Sequence, residues 1–146
     1  MRGQSKITKI QLVDPVNDEY TFLGIVTAEA DYKLSQLLNK KLKISLKSYK
    51  TVEVMGANGS IISFSRYSDA SASPEITYNL ISNRSDKNYL LKKFRNIDFL
   101  FQIHINDSKC DFERMTGTLR EIDGVTAVFR LDPQDIKDKN LLYLTL

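Results

Sequence analysis

The stretch Ile97-Asp98-Phe99-Leu100-Phe101-Gln102-Ile103-His104-Ile105 decides the fold class. Ile97, Phe99, Phe101, Ile103 and Ile105 take one side of an extended chain; Asp98, Leu100, Gln102, His104 and Asn106 take the other. A two-residue period of this kind is a strand with one buried face. Its second face is mostly polar, so one side of the sheet is expected to meet solvent or a polar cover. The period then changes. Ser108-Lys109-Cys110-Asp111 has the form of a capping box, and Phe112, Met115, Leu119 and Ile122 recur at helical spacing. Gly117 inside that helix costs about 1 kcal/mol against alanine, which implies close packing on the sheet. Gly124 supplies a left-handed stop, Val125 to Leu131 is extended again, and Asp132-Pro133 ends it. Residues 97 to 131 therefore form a strand–helix–strand, the split βαβ unit of ferredoxin-like folds.

Toward the N-terminus the same two periods alternate. Lys6 to Val13 reads as a strand closed by Asp14-Pro15, and the acidic residues Asp14, Asp18 and Glu19 sit in a loop. Tyr20 to Val26 reads as a second strand, with Gly24 a site of close backbone approach. Ala30, Leu34, Leu37, Leu38 and Leu42 then share one helical face. Thr27 is the expected N-cap; Glu29 and Asp31 in the first turn and Lys40, Lys41 and Lys43 near the end suit the helix dipole. Lys50 to Met55 and Ser60 to Tyr67 flank the turn Gly56-Ala57-Asn58-Gly59, and Glu75 to Asn83 is a further strand. Ser68 to Pro74 is small and polar and is expected to be a surface loop; Leu141 to Leu146 is too short and uncharged to read alone, with docking as an edge strand left open. The order predicts an α+β fold: a mostly antiparallel sheet of five or more strands, with two helices on one face and a C-terminal split βαβ unit.

Composition sets the limits. The 146 residues, 42% hydrophobic and 27% charged, describe a single globular domain spanning 1–146, not a disordered chain. No apolar run approaches the ~18–20 residues of a membrane span, and Met1 to Gln11 lacks a signal-peptide core. With one cysteine, Cys110, no internal disulfide can form, so a cytoplasmic protein is expected. One histidine and one cysteine leave a zinc site short of its usual ligands, and no cofactor is implied.

The sequence presents no catalytic constellation. His104 and Asp98 share a face, but six residues along a strand is ~20 Å, too far to hydrogen-bond. Cys110 opens a helix, where the dipole lowers a thiol pKa, yet no cysteine-protease signature or nucleophile elbow surrounds it. Gly56 to Ser60 lacks the lysine and spacing of a phosphate loop. The carboxylates of Asp111/Glu113 and Glu121/Asp123 are one residue apart and do not face each other.

Charge is the one uneven feature in a chain of net +3. From Tyr32 to Lys50 there are six lysines and no acid: Lys33, Lys40, Lys41, Lys43, Lys47 and Lys50. From Arg84 to Arg95, five basic residues, Lys92, Lys93 and Arg95 among them, face Asp86 alone. Tyr32, Tyr49 and Tyr89 lie among these residues, so bases could stack beside phosphate-binding lysines. The plainer explanation is a solvated helix face plus a polar hairpin.

Leu91-Lys92-Lys93-Phe94-Arg95-Asn96-Ile97-Asp98-Phe99 aligns by its aspartate with the motif of the IPExxxVDY family, and the chain resembles that family of small Bacteroidetes proteins. The apolar positions and Asp98 agree in type, while Lys92 and Lys93 stand where the motif has proline and glutamate. Asp31-Tyr32-Lys33-Leu34 with Leu38-Asn39, Leu80-Ile81-Ser82-Asn83, and Leu119 to Pro133 extend the resemblance. It implies a bacterial protein and no catalytic residue or cofactor, since the family has no established activity.

The first expectation is therefore a non-catalytic module that binds a protein partner or itself. The alternative is an RNA- or DNA-binding domain using residues 33–50 and 84–95, which requires both basic segments to converge on one face. A minor alternative is a small-ligand sensor, since Leu119 to Val125 is similar to the corresponding unit of ACT domains. An enzyme is the least supported class.

Overall fold

The computed structural model describes residues 19–73, 76–105, 111–132 and 140. In chain order the elements are β1 (Glu19–Thr27), α1 (Asp31–Leu42), β2 (Lys47–Met55), β3 (Ile61–Ser73), β4 (Ile76–Ser82), β5 (Arg84–Ser85), β6 (Asn88–Tyr89), β7 (Phe99–Ile105), α2 (Phe112–Arg120) and β8 (Val125–Leu131). Among the described residues, six strands form one sheet in the order β2-β3-β4-β7-β1-β8, and β5 pairs with β6. Every pairing in the large sheet is antiparallel.

That order has a topological consequence. β7 and β8 flank β1 and are both antiparallel to it, so they run parallel to each other and α2 joins them: the predicted split βαβ unit. β1 and β4 flank β7 by the same logic, and the chain joins them through α1 and the β2–β3 hairpin. Two interleaved split units are the ferredoxin-like arrangement. The hairpin adds two strands to one edge. The fold is α+β, as the alternating periods predict.

Strand parity divides the core in two. Leu23 and Ile25 of β1, Leu80 of β4, Phe99, Phe101 and Ile103 of β7 and Val128 of β8 meet Leu34 and Leu38 of α1 and Leu119 of α2. Both helices thus cover the same face. The opposite face differs from the polar surface expected of it. Phe22, Val52, Val54, Phe64, Ile81, Leu100 and Leu131 form a second core, closed by Leu90, Leu91 and Ile97 and flanked by Phe94 from the segment between β4 and β7. That segment, residues 83–98, is a cap. Burying Leu90 and Leu91 completely contributes roughly 2 kcal/mol each.

Several local expectations shift for physical reasons. β7 begins at Phe99, because the Ile97 N–H turns back to the Phe94 carbonyl and the Ile97 side chain joins the cap-side core. Ser68 to Ser73 is strand, not loop: the Ser68 hydroxyl hydrogen-bonds Asn79 across β4, and buried Asp69 accepts the Ser45 N–H at 2.7 Å. Gly24 does permit close approach, whereas Gly117 is exposed, with nothing within 4 Å of a Cβ placed there. α1 is N-capped by Ala30 without a side-chain bond; Thr27 instead accepts the Glu29 N–H and donates to the Gly124 carbonyl. Asp111 caps α2 by accepting the Arg114 N–H at 3.1 Å, so the capping residue lies three positions past Ser108. Gly124 does adopt positive φ, in the turn into β8. The expected strand at Lys6 to Val13, the segment Leu141 to Leu146, the acidic residues Asp14 and Asp18, Pro133 and Cys110 lie outside the described residues.

Candidate functional site

The cap is held by polar groups that the fold uses up. Asn83, fully buried, donates from Nδ2 to the carbonyls of Phe94 (2.9 Å) and Ile97 (3.0 Å), and its Oδ1 accepts the Leu91 N–H (2.8 Å). Its carbonyl accepts the Leu90 N–H, and Leu90's own carbonyl accepts from Asn140. Asp98 closes the other end of the cap: one carboxylate oxygen accepts the Thr27 N–H at 2.9 Å, and the other pairs with the Arg84 guanidinium.

His104 stands in β7 with Tyr20 of β1 and Thr77 of β4 as its register partners. Asp98 is committed to Thr27 and Arg84, so the structure does not join the two groups into an acid–base pair. Glu121, C-cap of α2, pairs with Lys41 of α1 at 3.0 Å. In the segment Leu119 to Val125, compared above with ACT domains, Leu119 and Ile122 are in the helix-side core, and the Gly124 carbonyl accepts from Thr27. The Gly56 to Ser60 turn is a closed hairpin turn, with Gly56 N–H on the Ser60 carbonyl and Asn58 accepting from Ser60. Among the described residues no group of His, Cys, Asp and Glu is placed to hold a metal ion, and no helix is long and apolar enough to cross a membrane.

The basic residues do not converge as the nucleic-acid alternative requires. Lys33, Lys40 and Lys41 ride on α1, over the helix-side core, and Lys43 is that helix's left-handed C-cap. Lys92, Lys93 and Arg95 are exposed on the cap, over the opposite face. Lys47 parts company with the helix lysines. It is the register partner of Ser68, in line with Asn79, two residues from Ile81 of the cap-side core. Sequence reasoning passed over Arg66, whose guanidinium stacks on Tyr49 at 5.0 Å while its Nε donates to the Lys50 carbonyl. The available signal was a lone arginine inside an otherwise uncharged run, Ser60 to Tyr67.

Exposed apolar side chains gather at the hairpin's free end. Met55 and Ile61 are directly opposite in the β2–β3 register and each is 63% exposed. On the helix side, burial and, secondarily, the Asp31 carboxylate push the Tyr67 hydroxyl above its usual 10.0.

No family model, curated protein or solved structure matches this chain.

Proposed function

We propose that this chain is a non-catalytic module of the bacterial cytoplasm that associates with a second copy of itself through the free end of the β2–β3 hairpin. The observation that carries the reading is the Met55/Ile61 pair. Lone exposed apolar residues are ordinary; two facing each other on the tip of the strands that extend the ferredoxin-like core are a patch. Asp98, Asp111 and Glu121 are used structurally, in cap, helix end and ion pair. The IPExxxVDY resemblance and the lone cysteine fit the same reading.

Sedimentation velocity across micromolar to submillimolar concentration tests it, with Met55→Lys and Ile61→Lys beside the unaltered chain. A concentration-dependent dimer that both substitutions abolish, at unchanged Tm, is expected. A monomer at every concentration, or a dimer indifferent to both lysines, overturns the reading.

A further inference from the structure

The cap side of the sheet gathers cations that the sequence scatters. Ile81 points into the cap-side core, and its register partner on β3 is Arg66, whose own partner on β2 is Tyr49. Lys47 lies two residues before Tyr49 in the same strand. These three residues therefore share a face with the cap, and β5 of the cap packs against β3. The cap carries Arg84, Lys87, Lys92, Lys93 and Arg95 against two carboxylates, Asp86 and Asp98, of which Asp98 is taken by Arg84 and Thr27.

Among the described residues, five acids can be placed on the helix side. Glu53 lies between Val52 and Val54, both in the cap-side core, so it points toward the helix side. Asp69 pairs in register with Tyr78, which packs on the helix-side core. Asp31, Glu113 and Glu121 belong to α1, α2 and the α2 C-cap. Among the residues placed here, the cap face is basic and the helix side carries both signs.

The cap face also holds two matched aromatic–guanidinium stacks: Arg66 over Tyr49 at 5.0 Å and Arg95 over Tyr89 at 5.7 Å. Tyr49 remains 55% exposed beneath its arginine. Cations for phosphates beside flat π surfaces for bases are the two elements of sequence-tolerant single-strand binding.

We propose that this face, independent of the hairpin tip, binds single-stranded nucleic acid. Lys47, Lys87, Lys93 and the two guanidinium groups meet phosphates, and bases stack on the Tyr49–Arg66 and Tyr89–Arg95 pairs. Duplexes hide the base faces the stacks need and bind more weakly.

Fluorescence anisotropy of the full chain with a labelled oligouridylate and a labelled RNA duplex, at low and moderate salt, tests this. Replacing Arg66, Lys93 and Arg95 together by alanine lowers oligouridylate affinity about tenfold or more, with a shallower salt slope. Replacing Lys33, Lys40 and Lys43 on the helix face changes it less than about twofold. Tyr49→Leu costs about tenfold on the single strand and leaves the duplex unaffected. Melting curves of each variant, and the exposed double reversal Lys87→Glu/Lys93→Glu, separate lost binding from lost folding. Equal losses from the two faces, no binding at low salt, or duplex bound as tightly as single strand with Tyr49→Leu silent would each overturn the proposal.

Discussion

Ile97 sits on Gly24: a β carbon at position 24 would lie 2.5 Å from Ile97 Cδ1 and within 3.2 Å of Cγ1 and Cγ2. Ile97 is 2% exposed and closes the cap-side core, so it has little room to retreat. Gly24→Ala is therefore expected to destabilise the fold by about 1–3 kcal/mol in urea denaturation, the usual range for overpacking. Ile97→Val, which removes Cδ1, should recover part of that loss in the double variant. Strict additivity of the two substitutions would show that the contact is not the cause.

Asn83 makes the cap a folded unit. Its side chain is fully buried and satisfied by Phe94, Ile97 and Leu91. Asn83→Asp removes both donors, leaves two carbonyls unsatisfied and places a charge in the core. Loss of about 3 kcal/mol or more is expected, at about 1–3 kcal/mol per buried group left unpaired. Amide hydrogen exchange should speed up first at Leu90 and Leu91, whose N–H groups bond to Asn83. Uniform acceleration across the sheet would argue that the cap does not open alone.

These contacts explain which parts of the molecule are legible from sequence. α1 is legible because Leu34 and Leu38 recur at the helical period and are buried there. β7 and the split βαβ unit follow from alternation and from the change of period after it. The cap is not legible: Leu90, Leu91 and Phe94 follow no period, and their placement comes from Asn83 bonds made across the segment. Ser68 to Ser73 is invisible for a related reason: small polar residues alternate nothing, and the strand's bonds there run from Ser68 to Asn79 of β4 and from the Ser45 N–H to Asp69. For the basic surface, sequence proximity misleads. Lys43 and Lys47 are four residues apart but belong to different faces, because Lys43 caps the end of α1 and Lys47 opens the edge strand β2. Arg66 and Arg95 are far apart in sequence and share a face only through the strand order.

Tyr67 should make stability pH-dependent on the alkaline side. Burial first, and then the Asp31 carboxylate, raise its hydroxyl pKa in the folded chain above 10.0. The folded state thus holds this proton more tightly than the unfolded one. The contribution is complete below the unfolded pKa of about 10 and is lost as pH rises through the folded value. Tyr67→Phe keeps the ring and removes the titration. Urea unfolding at about pH 9 and about pH 11 should show the unaltered chain losing more stability between the two than the phenylalanine variant. Parallel pH dependences for the two proteins would contradict the assignment, because the other tyrosines and lysines titrate equally in both.

Lys43 offers a substitution expected to stabilise. It ends α1 in the left-handed region, φ 57° and ψ 47°, while its N–H bonds the Asn39 carbonyl. A side chain with a Cβ is strained there by about 1–2 kcal/mol, whereas glycine is not. Glycine gives back part of the gain through its larger unfolded-state freedom. Lys43→Gly should therefore raise stability by about 0.5–1 kcal/mol. Asn39 also clasps Leu46 through both its amide nitrogen and its oxygen, which fixes the helix end against β2 whatever stands at 43. The gain should accordingly appear in the unfolding free energy with the urea m-value unchanged. Because Lys43 is on the helix face, the same variant should bind oligouridylate as the unaltered chain does. A stabilised Lys43→Gly that also lost binding would return the polyanion contact to the helix lysines.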